Sequence, residues 1–256
     1  METEPLLQDD HFAENHYSWV NMRNLMAMIS VISIMLVSFG MRVQVTEENE
    51  ELKAFTKRLW IFISTHNRVC LLNIAAKSLS DSTNVNFANL VVMDMHSETY
   101  GEHDLMRFYP GGKVFRFAKN KGADVLDHLK HRKFLNVTKK IPDAIYVDLP
   151  MDVVVEKDWI RKLWEYYRAI PNDIRQTATY TLYNSPILKN VPSPVKGLIT
   201  KKVTPFMNTV WPRNTVKMWI DHYGEREEVK SYDWKMAEFH NTGKLNAKFI
   251  LKHCKE

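Results

Sequence analysis

The sequence has few of the residues that define several common classes of protein. Its 256 residues include only two cysteines and eight glycines. Cys70 and Cys254 are too few for a disulfide framework or a structural zinc site, although one bridge between them stays open. The motifs G-x-G-x-x-G, G-x-x-x-x-G-K-[ST] and G-x-S-x-G are absent, which disfavours dinucleotide-dependent dehydrogenases, P-loop enzymes and α/β-hydrolases. Zinc-finger spacing, a glycine-aromatic RNA motif and long basic runs are also absent, so we expect no nucleic-acid partner.

Charge is unevenly distributed along the chain. The formal net charge is +5, but residues 1–24 carry five acids and one base, which leaves 34 bases and 25 acids, or +9, in the remainder. A basic body suits an anionic ligand, such as a nucleoside diphosphate, or an anionic membrane surface. With 45% hydrophobic residues, the chain is long enough to bury the core of one medium-sized domain.

The longest uncharged segment lies near the N-terminus. Residues 25–41, LMAMISVISIMLVSFGM, lie between Arg23 and Arg42, and as a helix they would extend about 25 Å, which is within the range for a bilayer core. We therefore predict an acidic tail over 1–24, a single transmembrane anchor over 25–41 and a charged stem over 42–58. A cleaved signal peptide and a buried core helix are the alternatives. The acidic lead disfavours the first, and the apolar residues on every side of the helix disfavour the second.

The signals for the orientation of this anchor conflict. Basic residues are more numerous on the C-terminal side of the span, so the positive-inside rule favours a cytoplasmic body. The segment ETEPLL at 2–7 is similar to an acidic dileucine sorting signal, which would need a cytoplasmic tail instead. The acceptor sequence Asn136-Val137-Thr138 is informative only if the body is lumenal.

From residue 59 onward, runs typical of strands alternate with helical periodicity. The predicted strands are LWIFIST (59–65), NLVVMD (89–94), KVFRFA (113–118), DAIYVDL (143–149) and TATYTLYNS (177–185). Helices are predicted after the first strand, over 122–135, after Asp158 as N-cap, and from Asn214 as N-cap to Gly224. This alternation predicts an α/β fold with a mostly parallel sheet flanked by helices.

Acidic residues occur at the predicted carboxyl ends of two strands. Asp94 ends the second strand, and Asp148 and Asp152 fall at or just past the end of the fourth. Ligands of open α/β sheets bind at this edge, because loops rather than packed side chains line it. On these residues alone, a ligand site and a solvated turn around Pro150 are equally well supported.

Four segments together resemble glycosyltransferases of the GT-A fold and the family-2 type. ISTHNRVCLLNIAAKSL resembles their first strand and helix, and VVMDMHSETY the end of their second strand. FRFAKNKGADVLDHL is similar to their third strand and its Asn-x-Gly turn, and YVDLPMDVVVEKDWI falls where the family has its D-x-D motif. The resemblance implies a GT-A-type, Rossmann-like domain over 59–256, with a nucleotide-binding half over 59–168 and an acceptor half over 169–256.

The resemblance also implies roles for individual residues. Asp94 would contact the base or ribose of a nucleoside-diphosphate sugar. The further donor-binding residues implied are Thr65, Asn67, Arg68, Asn120, Gly122 and Asp148. Asp152 matches the last Asp of D-x-D and, with His253, would hold Mn²⁺ or Mg²⁺. Pro150 replaces the first Asp, and one carboxylate can suffice when phosphates and waters complete the shell of the ion.

The function implied is transfer of a sugar from a nucleoside-diphosphate sugar to a hydroxyl of a glycan, protein or lipid, with inversion at the anomeric carbon. Asp233 in SYDWKMAEF would accept the proton of that hydroxyl. Lys201, Lys202 and Arg213 are candidates for a clamp on the departing diphosphate. Enzymes of this family with the same layout usually expose the body to the Golgi or endoplasmic reticulum lumen, and the resemblance implies the same here.

Two alternatives stay open beside this function. Pro150, in place of an acid, suggests a catalytically inactive, membrane-anchored sugar-nucleotide-binding or scaffold protein. A nucleotidyltransferase on a related sheet is the other alternative, and the lack of a glycine-rich signature at the first strand counts against it.

Overall fold

The computed structural model describes residues 11–181, 190–191, 198–201, 209–224 and 248–251. The chain divides into two units, Met1–Glu51 and Leu52–Glu256. The described helices are α1 (His11–Lys57), α2 (Val69–Ser80), α3 (Glu102–Phe108), α4 (Ala123–Val137), α5 (Trp159–Ala169), α6 (Asn172–Arg175) and α7 (Arg213–Tyr223). The described strands are β1 (Leu59–Thr65), β2 (Asn89–Asp94), β3 (Lys113–Arg116), β4 (Ile145–Pro150), β5 (Thr179–Thr181), β6 (Asn190–Val191), β7 (Leu198–Lys201), β8 (Thr209–Pro212) and β9 (Lys248–Leu251).

The first unit consists, in its described part, of α1 up to Glu51. Its apolar stretch presents large side chains to solvent: Met26, Ile34, Met35 and Leu36 are each between 64% and 66% exposed. Within the described residues, no helix combines the length and the apolar composition needed to cross a membrane. The anchor over 25–41 stays a prediction.

The last residues of α1 belong to the second unit. Leu52 and Phe55 lie three positions apart on one helical face, and each is 1% exposed in the core. The ring of Phe55 lies 5.3 Å from the ring of Tyr167, and the buried Thr56 hydroxyl donates to the Leu52 carbonyl at 2.7 Å. The segment that the sequence predicts as a stem therefore ends in residues that pack into the core.

The described strands form one sheet in the order β3-β2-β1-β4-β8-β5-β9-β7-β6. The four strands β3, β2, β1 and β4 pair in parallel, as predicted, because a helix crosses over between each strand and the next along the chain. Beyond β4 the pairings are antiparallel except for β5 with β9, so the parallel arrangement is mostly a property of the first half. The fifth predicted strand, 177–185, is described as a strand only over Thr179–Thr181.

Alternating side chains of the parallel strands face two separate core layers. In β4, Ile145, Val147 and Leu149 face the layer that α2 and α5 cover, whereas Tyr146 faces the layer of α4 and α7. The helices predicted after the first strand and after Asp158 are confirmed, and each buries one face. The buried residues of α2 are Leu72, Ala75, Ala76 and Leu79, and those of α5 are Trp159, Ile160, Leu163, Trp164 and Tyr167. Both faces of the parallel strands are thus covered, and their ends carry the loops.

Helix α7 begins two residues earlier than the sequence predicts, at Arg213. Pro212 occupies its N-cap position and ends β8, so Asn214 lies inside the first turn instead of capping it. The Asn214 side-chain amide donates to the carbonyl of Gln176 at 3.4 Å. The predicted end at Gly224 is confirmed, and the φ of +72° at this residue suits glycine at a helix terminus.

Candidate functional site

The carboxyl ends of β1, β2 and β4 meet at one edge of the sheet. The register pairs Thr65 of β1 with Asp94 of β2, and Ser64 of β1 with Pro150 of β4. The N–H of Met151 continues the β4 pairing by donating to the carbonyl of Ser64 at 3.1 Å. The loops that follow these strands therefore come together, and we name them the carboxyl edge.

Asp94 is fully buried at the carboxyl edge. Both of its oxygens lie 3.2 Å from the backbone N of Ser97, the Ser97 hydroxyl donates to Oδ1, and Nε of Arg116 lies 3.4 Å from Oδ2. Arg116 also donates to the carbonyl of Tyr100 at 3.0 Å. Asp94 thus holds the loop after β2 in place, and its contact with a base or ribose stays a prediction.

Asn67 connects the loop after β1 to the loop after β2. Its N–H donates to Oγ of Ser97 at 3.1 Å, and its side-chain oxygen accepts the N–H of Glu98 at 2.6 Å. Asn67 has a φ of +48°, and His96 in the facing loop has a φ of +62°. Such left-handed backbone is uncommon outside glycine and concentrates at functional sites, where the surrounding contacts hold it.

His66 connects the end of β1 to the turn before α4. Its Nε2 lies 3.2 Å from Nδ2 of Asn120, and Oδ1 of Asn120 accepts the N–H of Gly122 at 2.9 Å. Gly122 has a φ of +85°, which a side chain would disfavour. The predicted Asn-x-Gly turn therefore reaches the same edge as β1.

Thr65 lies at the end of β1, beneath the loops of the carboxyl edge. It is 2% exposed, its hydroxyl is hydrogen-bonded to the Tyr100 hydroxyl, and its Oγ1 lies 3.3 Å from Sδ of Met151. Thr65 therefore packs beneath the loops and ties β1 to the segments that carry Asp94 and Asp152.

Arg68 and Asp152 form an exposed ion pair at the carboxyl edge. Nη1 of Arg68 lies 3.6 Å from Oδ2 of Asp152, and the two side chains are 62% and 38% exposed. A guanidinium can bind phosphate through two parallel N–H···O hydrogen bonds. A carboxylate is an oxygen ligand of the kind that Mg²⁺ prefers. The pair therefore offers complementary charges to a diphosphate and its counter-ion.

A metal ion at Asp152 would have a single carboxylate ligand from the described residues. Mg²⁺ usually takes one or two carboxylates, with phosphates and waters completing its shell. In the part of the chain that the structure describes, no cluster of three or more His, Cys, Asp or Glu side chains is placed to hold a metal ion. The remaining ligands would have to come from the diphosphate, from water or from His253. His253 and Asp233 both lie outside the described residues.

Asp148 points into the molecule and away from the loops of the carboxyl edge. Its carboxylate is 1% exposed, and Oδ1 lies 2.5 Å from Nζ of Lys130 and 3.3 Å from the Tyr146 hydroxyl. Lys130 is equally buried and lies 2.7 Å from Oδ1 of Asp127. Asp148 supports β4 from within, and its contact with a sugar nucleotide stays a prediction.

Burial and charge act against each other in this ion pair. Burial raises the pKa of Asp148, and the Lys130 ammonium opposes that rise. Burial also disfavours the charge on Lys130, but Asp127 and Asp148 outweigh it and raise the pKa of Lys130. The ammonium therefore stays charged inside the core.

Arg213 lies at the opposite edge of the sheet, so its prediction as a diphosphate clamp is wrong. The preceding residue, Pro212, pairs with Ile145 at the start of β4, and Nε of Arg213 donates to the carbonyl of Thr138 at 3.2 Å. Lys201 ends β7, and Lys202 lies outside the described residues.

Sequence reasoning missed four residues that build the carboxyl edge: Ser97, Tyr100, Arg116 and Met151. Ser97 has a local signal, because an Asp at a strand end often accepts an N–H from a residue a few positions later. The other three contact Thr65 or Asp94 from separate segments of the chain, and nothing in their own sequence neighbourhood indicates this.

No protein-family model matches this sequence, and no curated protein matches it. Similar solved structures are those of glycosyltransferases with a GT-A-like fold. TarS from S. aureus, residues 1–349, is 15% identical and covers 77% of this chain and 58% of its own, with a TM-score of 0.50. GalNAc-T7, solved with UDP, GalNAc and Mn²⁺, is 12% identical and covers 75% of this chain and 41% of its own, with a TM-score of 0.51. The chain thus spans about half the length of these proteins, and the similarity shows that it has their GT-A-like fold.

Proposed function

We propose that this chain is a glycosyltransferase that moves a sugar from a nucleoside-diphosphate sugar to a hydroxyl of a glycan, protein or lipid. The observation that carries the proposal is the exposed pair of Arg68 and Asp152 at the carboxyl edge of a GT-A-like sheet. The fixed loops around Asp94 and Asn67 border this pair and supply a preformed rim for the donor.

In this proposal the donor lies along the carboxyl edge. Arg68 binds the diphosphate, while the loops held by Asp94 and Asn67 receive the base and ribose. Thr65, Asn120 and Gly122 shape the floor and the turn beside them. Support comes from the GalNAc-T7 structure, which contains UDP on a fold of the same kind.

Asp152 and His253 would hold Mn²⁺ or Mg²⁺, which when bound supplies positive charge to the departing diphosphate. The single exposed carboxylate of Asp152 supports this assignment, as does the Mn²⁺ in the GalNAc-T7 structure. Arg68 supplies further positive charge from the protein.

The proposed transfer is a direct displacement. Asp233 accepts the proton of the acceptor hydroxyl as its oxygen bonds to the anomeric carbon. The bond from that carbon to the diphosphate oxygen breaks, and its electron pair leaves with the diphosphate. Attack from the opposite face inverts the configuration.

Diphosphate release from a panel of sugar nucleotides, with and without Mn²⁺, tests this function on the full chain. We expect turnover with one class of donor. Asp152→Asn should lower kcat/KM about a hundredfold or more, because it removes the proposed carboxylate ligand of the ion whose positive charge stabilises the departing diphosphate. Asp233→Asn should lower kcat about 10²- to 10⁴-fold, as expected for loss of a general base.

Asp143→Asn is the matched control for these variants. Asp143 is 54% exposed, precedes β4 rather than following it, and pairs with Arg58 at 3.3 Å. Its substitution should leave turnover within about twofold of the wild type, since surface ion pairs contribute little. Equal losses in Asp143→Asn and Asp152→Asn would contradict the role of Asp152.

Binding without transfer is the second candidate function. One observation favours it: Asp148 is paired with buried Lys130. In the segment around Pro150, Asp152 is then the carboxylate exposed to a ligand. A donor that binds with the same affinity in wild type and Asp152→Ala, and that releases no diphosphate with or without Mn²⁺, would establish this candidate and overturn the transferase.

We also propose that residues 25–41 anchor the chain in a membrane. Residues 59–256 would then lie on either its lumenal or its cytoplasmic side. The exposed apolar side chains from Met26 to Val37 support this, because they leave a hydrophobic surface in contact with solvent. Flotation of the full chain with neutral lipid vesicles is the test. Wild type should float, and Ile32→Asp with Met35→Asp should not. Equal flotation of both proteins would contradict the anchor.

A further inference from the structure

Strand β3 is the outermost strand on one side of the described sheet. The N–H of Phe117 donates to the carbonyl of Asp94 in β2 at 2.9 Å. In a parallel ladder, alternate residues of a strand bond the same neighbour, so Val114 and Arg116 direct their backbone N–H and C=O groups away from β2. The outer edge of β3 therefore presents hydrogen-bonding groups in strand geometry.

A cleft of about 640 Å³ lies along this edge. One wall is the β3 segment from Val114 to Phe117. The other wall is a stripe at helical spacing on α4, formed by Leu129, Arg132, Lys133 and Asn136. We name the cleft the β3–α4 groove. Four strand residues extend about 13 Å, so a peptide segment of similar length would match it.

The β3–α4 groove has a basic lining. Arg132 and Lys133 supply this character, since the guanidinium of Arg116, which also lines the groove, is paired with Asp94. No acidic side chain is found among the described residues that line the groove. Nζ of Lys133 lies 3.6 Å from the ring centroid of Phe115, which places this ammonium directly over β3. An added strand would lie about 4.8 Å beyond β3, so its side chains on this face would be next to this ammonium.

The structure points to a binding site for an extended acidic peptide in the β3–α4 groove, and we propose this as an interaction surface of the protein. The peptide adds to the outer edge of β3 through the backbone groups of Val114 and Arg116, as in other cases of strand addition. Its alternate side chains that face α4 carry the carboxylates, which pair with Arg132 and Lys133. Complementary charge selects the acidic sequence.

This surface shares one residue with the carboxyl edge, because Arg116 lines the groove and its guanidinium contacts Asp94; the α4 wall of the groove is separate from that edge. The residues that line the groove do not include Arg68 or Asp152, and Asn136 belongs to the last turn of α4. Peptide binding and sugar transfer can therefore be tested independently.

Fluorescence anisotropy of a labelled peptide of alternating Val and Glu, with the full chain, tests the proposal. We expect saturable binding at about 0.15 M salt, where the screening length is about 8 Å. Lys133→Glu should weaken it about tenfold, because it replaces attraction with repulsion at the centre of the groove. Val114→Pro should weaken it at least about fivefold, since proline removes the outward N–H.

Lys139→Glu is the matched control, because it makes the same charge change at an exposed position just beyond α4. It should bind the peptide within about twofold of the wild type. Thermal unfolding of each variant identifies any that fail to fold. If Val114→Pro does not fold, Lys133→Glu alone tests the proposal. Absence of binding, or equal weakening by Lys133→Glu and Lys139→Glu, would overturn the site. Equal affinity for a single-stranded RNA would overturn it too, since that indicates a general polyanion surface.

Discussion

Lys130 is a cation held inside the core by two carboxylates, at 2.5 Å from Asp148 and 2.7 Å from Asp127. Lys130→Met would leave the charge of Asp148 buried without its partner, and the loss of one member of a buried pair typically costs about 3–5 kcal/mol. We expect that decrease in the free energy of unfolding, measured by urea denaturation. The double variant Lys130→Met with Asp148→Leu should recover most of it, because both buried charges are gone.

Lys217→Met is the control for Lys130→Met. Lys217 lies 2.6 Å from Asp221 one helical turn away, but both side chains are more than half exposed. Solvent screens such pairs, so the same substitution should cost about 0.5 kcal/mol or less. A loss in Lys130→Met no larger than in Lys217→Met would show that the buried pair contributes no more than a surface pair.

His131 makes the stability of the core depend on pH. The side chain is fully buried, with its ring 4.7 Å from Trp211 and 4.8 Å from Tyr146. Burial, and secondarily the charges of Lys130 and His128, hold its pKa well below the usual value for histidine. The unfolded chain therefore binds a proton first as the pH falls. The contribution of His131 is complete above about pH 6.5 and is lost as the solution becomes more acidic.

We expect the free energy of unfolding to fall by up to about 1.4 kcal/mol per pH unit for this histidine between about pH 6.5 and its lower folded pKa. His131→Phe keeps an aromatic ring in the cluster and removes the titration, so its unfolding free energy should vary less over this interval. Urea denaturation at several pH values measures this, with the exposed His103 changed to Phe as control. An unchanged slope in His131→Phe, or an equally reduced one in His103→Phe, would contradict the assignment.

At the scale of elements, the loops after β1 and β2 are held to each other through Asn67. Its backbone is left-handed, and its side-chain oxygen accepts the N–H of Glu98 at 2.6 Å and that of Thr99 at 3.4 Å. Asn67→Gly keeps the backbone conformation and loses these bonds, at a cost of about 1 kcal/mol. Asn67→Ala loses the same bonds and also strains the backbone, so it should cost about 1 kcal/mol more. Equal unfolding free energies for the two variants would show that the left-handed backbone contributes no strain.

The sequence predicts the parallel strands and their helices because each has its own local pattern. Apolar runs give β1, β2 and β4, and helical spacing gives the buried faces of α2 and α5. The same patterns do not predict contacts between segments. The burial of Asp148 depends on Lys130, which lies 18 positions earlier in the sequence. The two residues meet only because the crossover helix α4 packs on the face of β4 that carries Tyr146. The pairing of Arg68 with Asp152 is likewise a product of the sheet register, and no local pattern contains it.

For the molecule as a whole, ligand binding and folding are linked, because a ligand that binds only the folded state raises its stability. The carboxyl edge joins loops from β1, β2 and β4, which together with β3 form the parallel part of the sheet. A diphosphate bound there would therefore stabilise the whole second unit. Substitutions at this edge should therefore change how much the ligand raises the thermal stability. This change can be measured without knowing the acceptor.

We expect UDP or GDP with Mn²⁺ to raise the unfolding midpoint of the full chain. At a ligand concentration 100 times Kd the gain is about 2.7 kcal/mol, or roughly 5–10 °C for a domain of this size. Differential scanning fluorimetry with and without Mn²⁺ separates two contributions. Asp152→Asn should lose the Mn²⁺-dependent part, because the carboxylate is gone, whereas Arg68→Gln should weaken the shift in both conditions, because the guanidinium acts on the diphosphate itself. A full Mn²⁺-dependent shift in Asp152→Asn would place the ion elsewhere, and an unchanged shift in Arg68→Gln would remove Arg68 from the donor site.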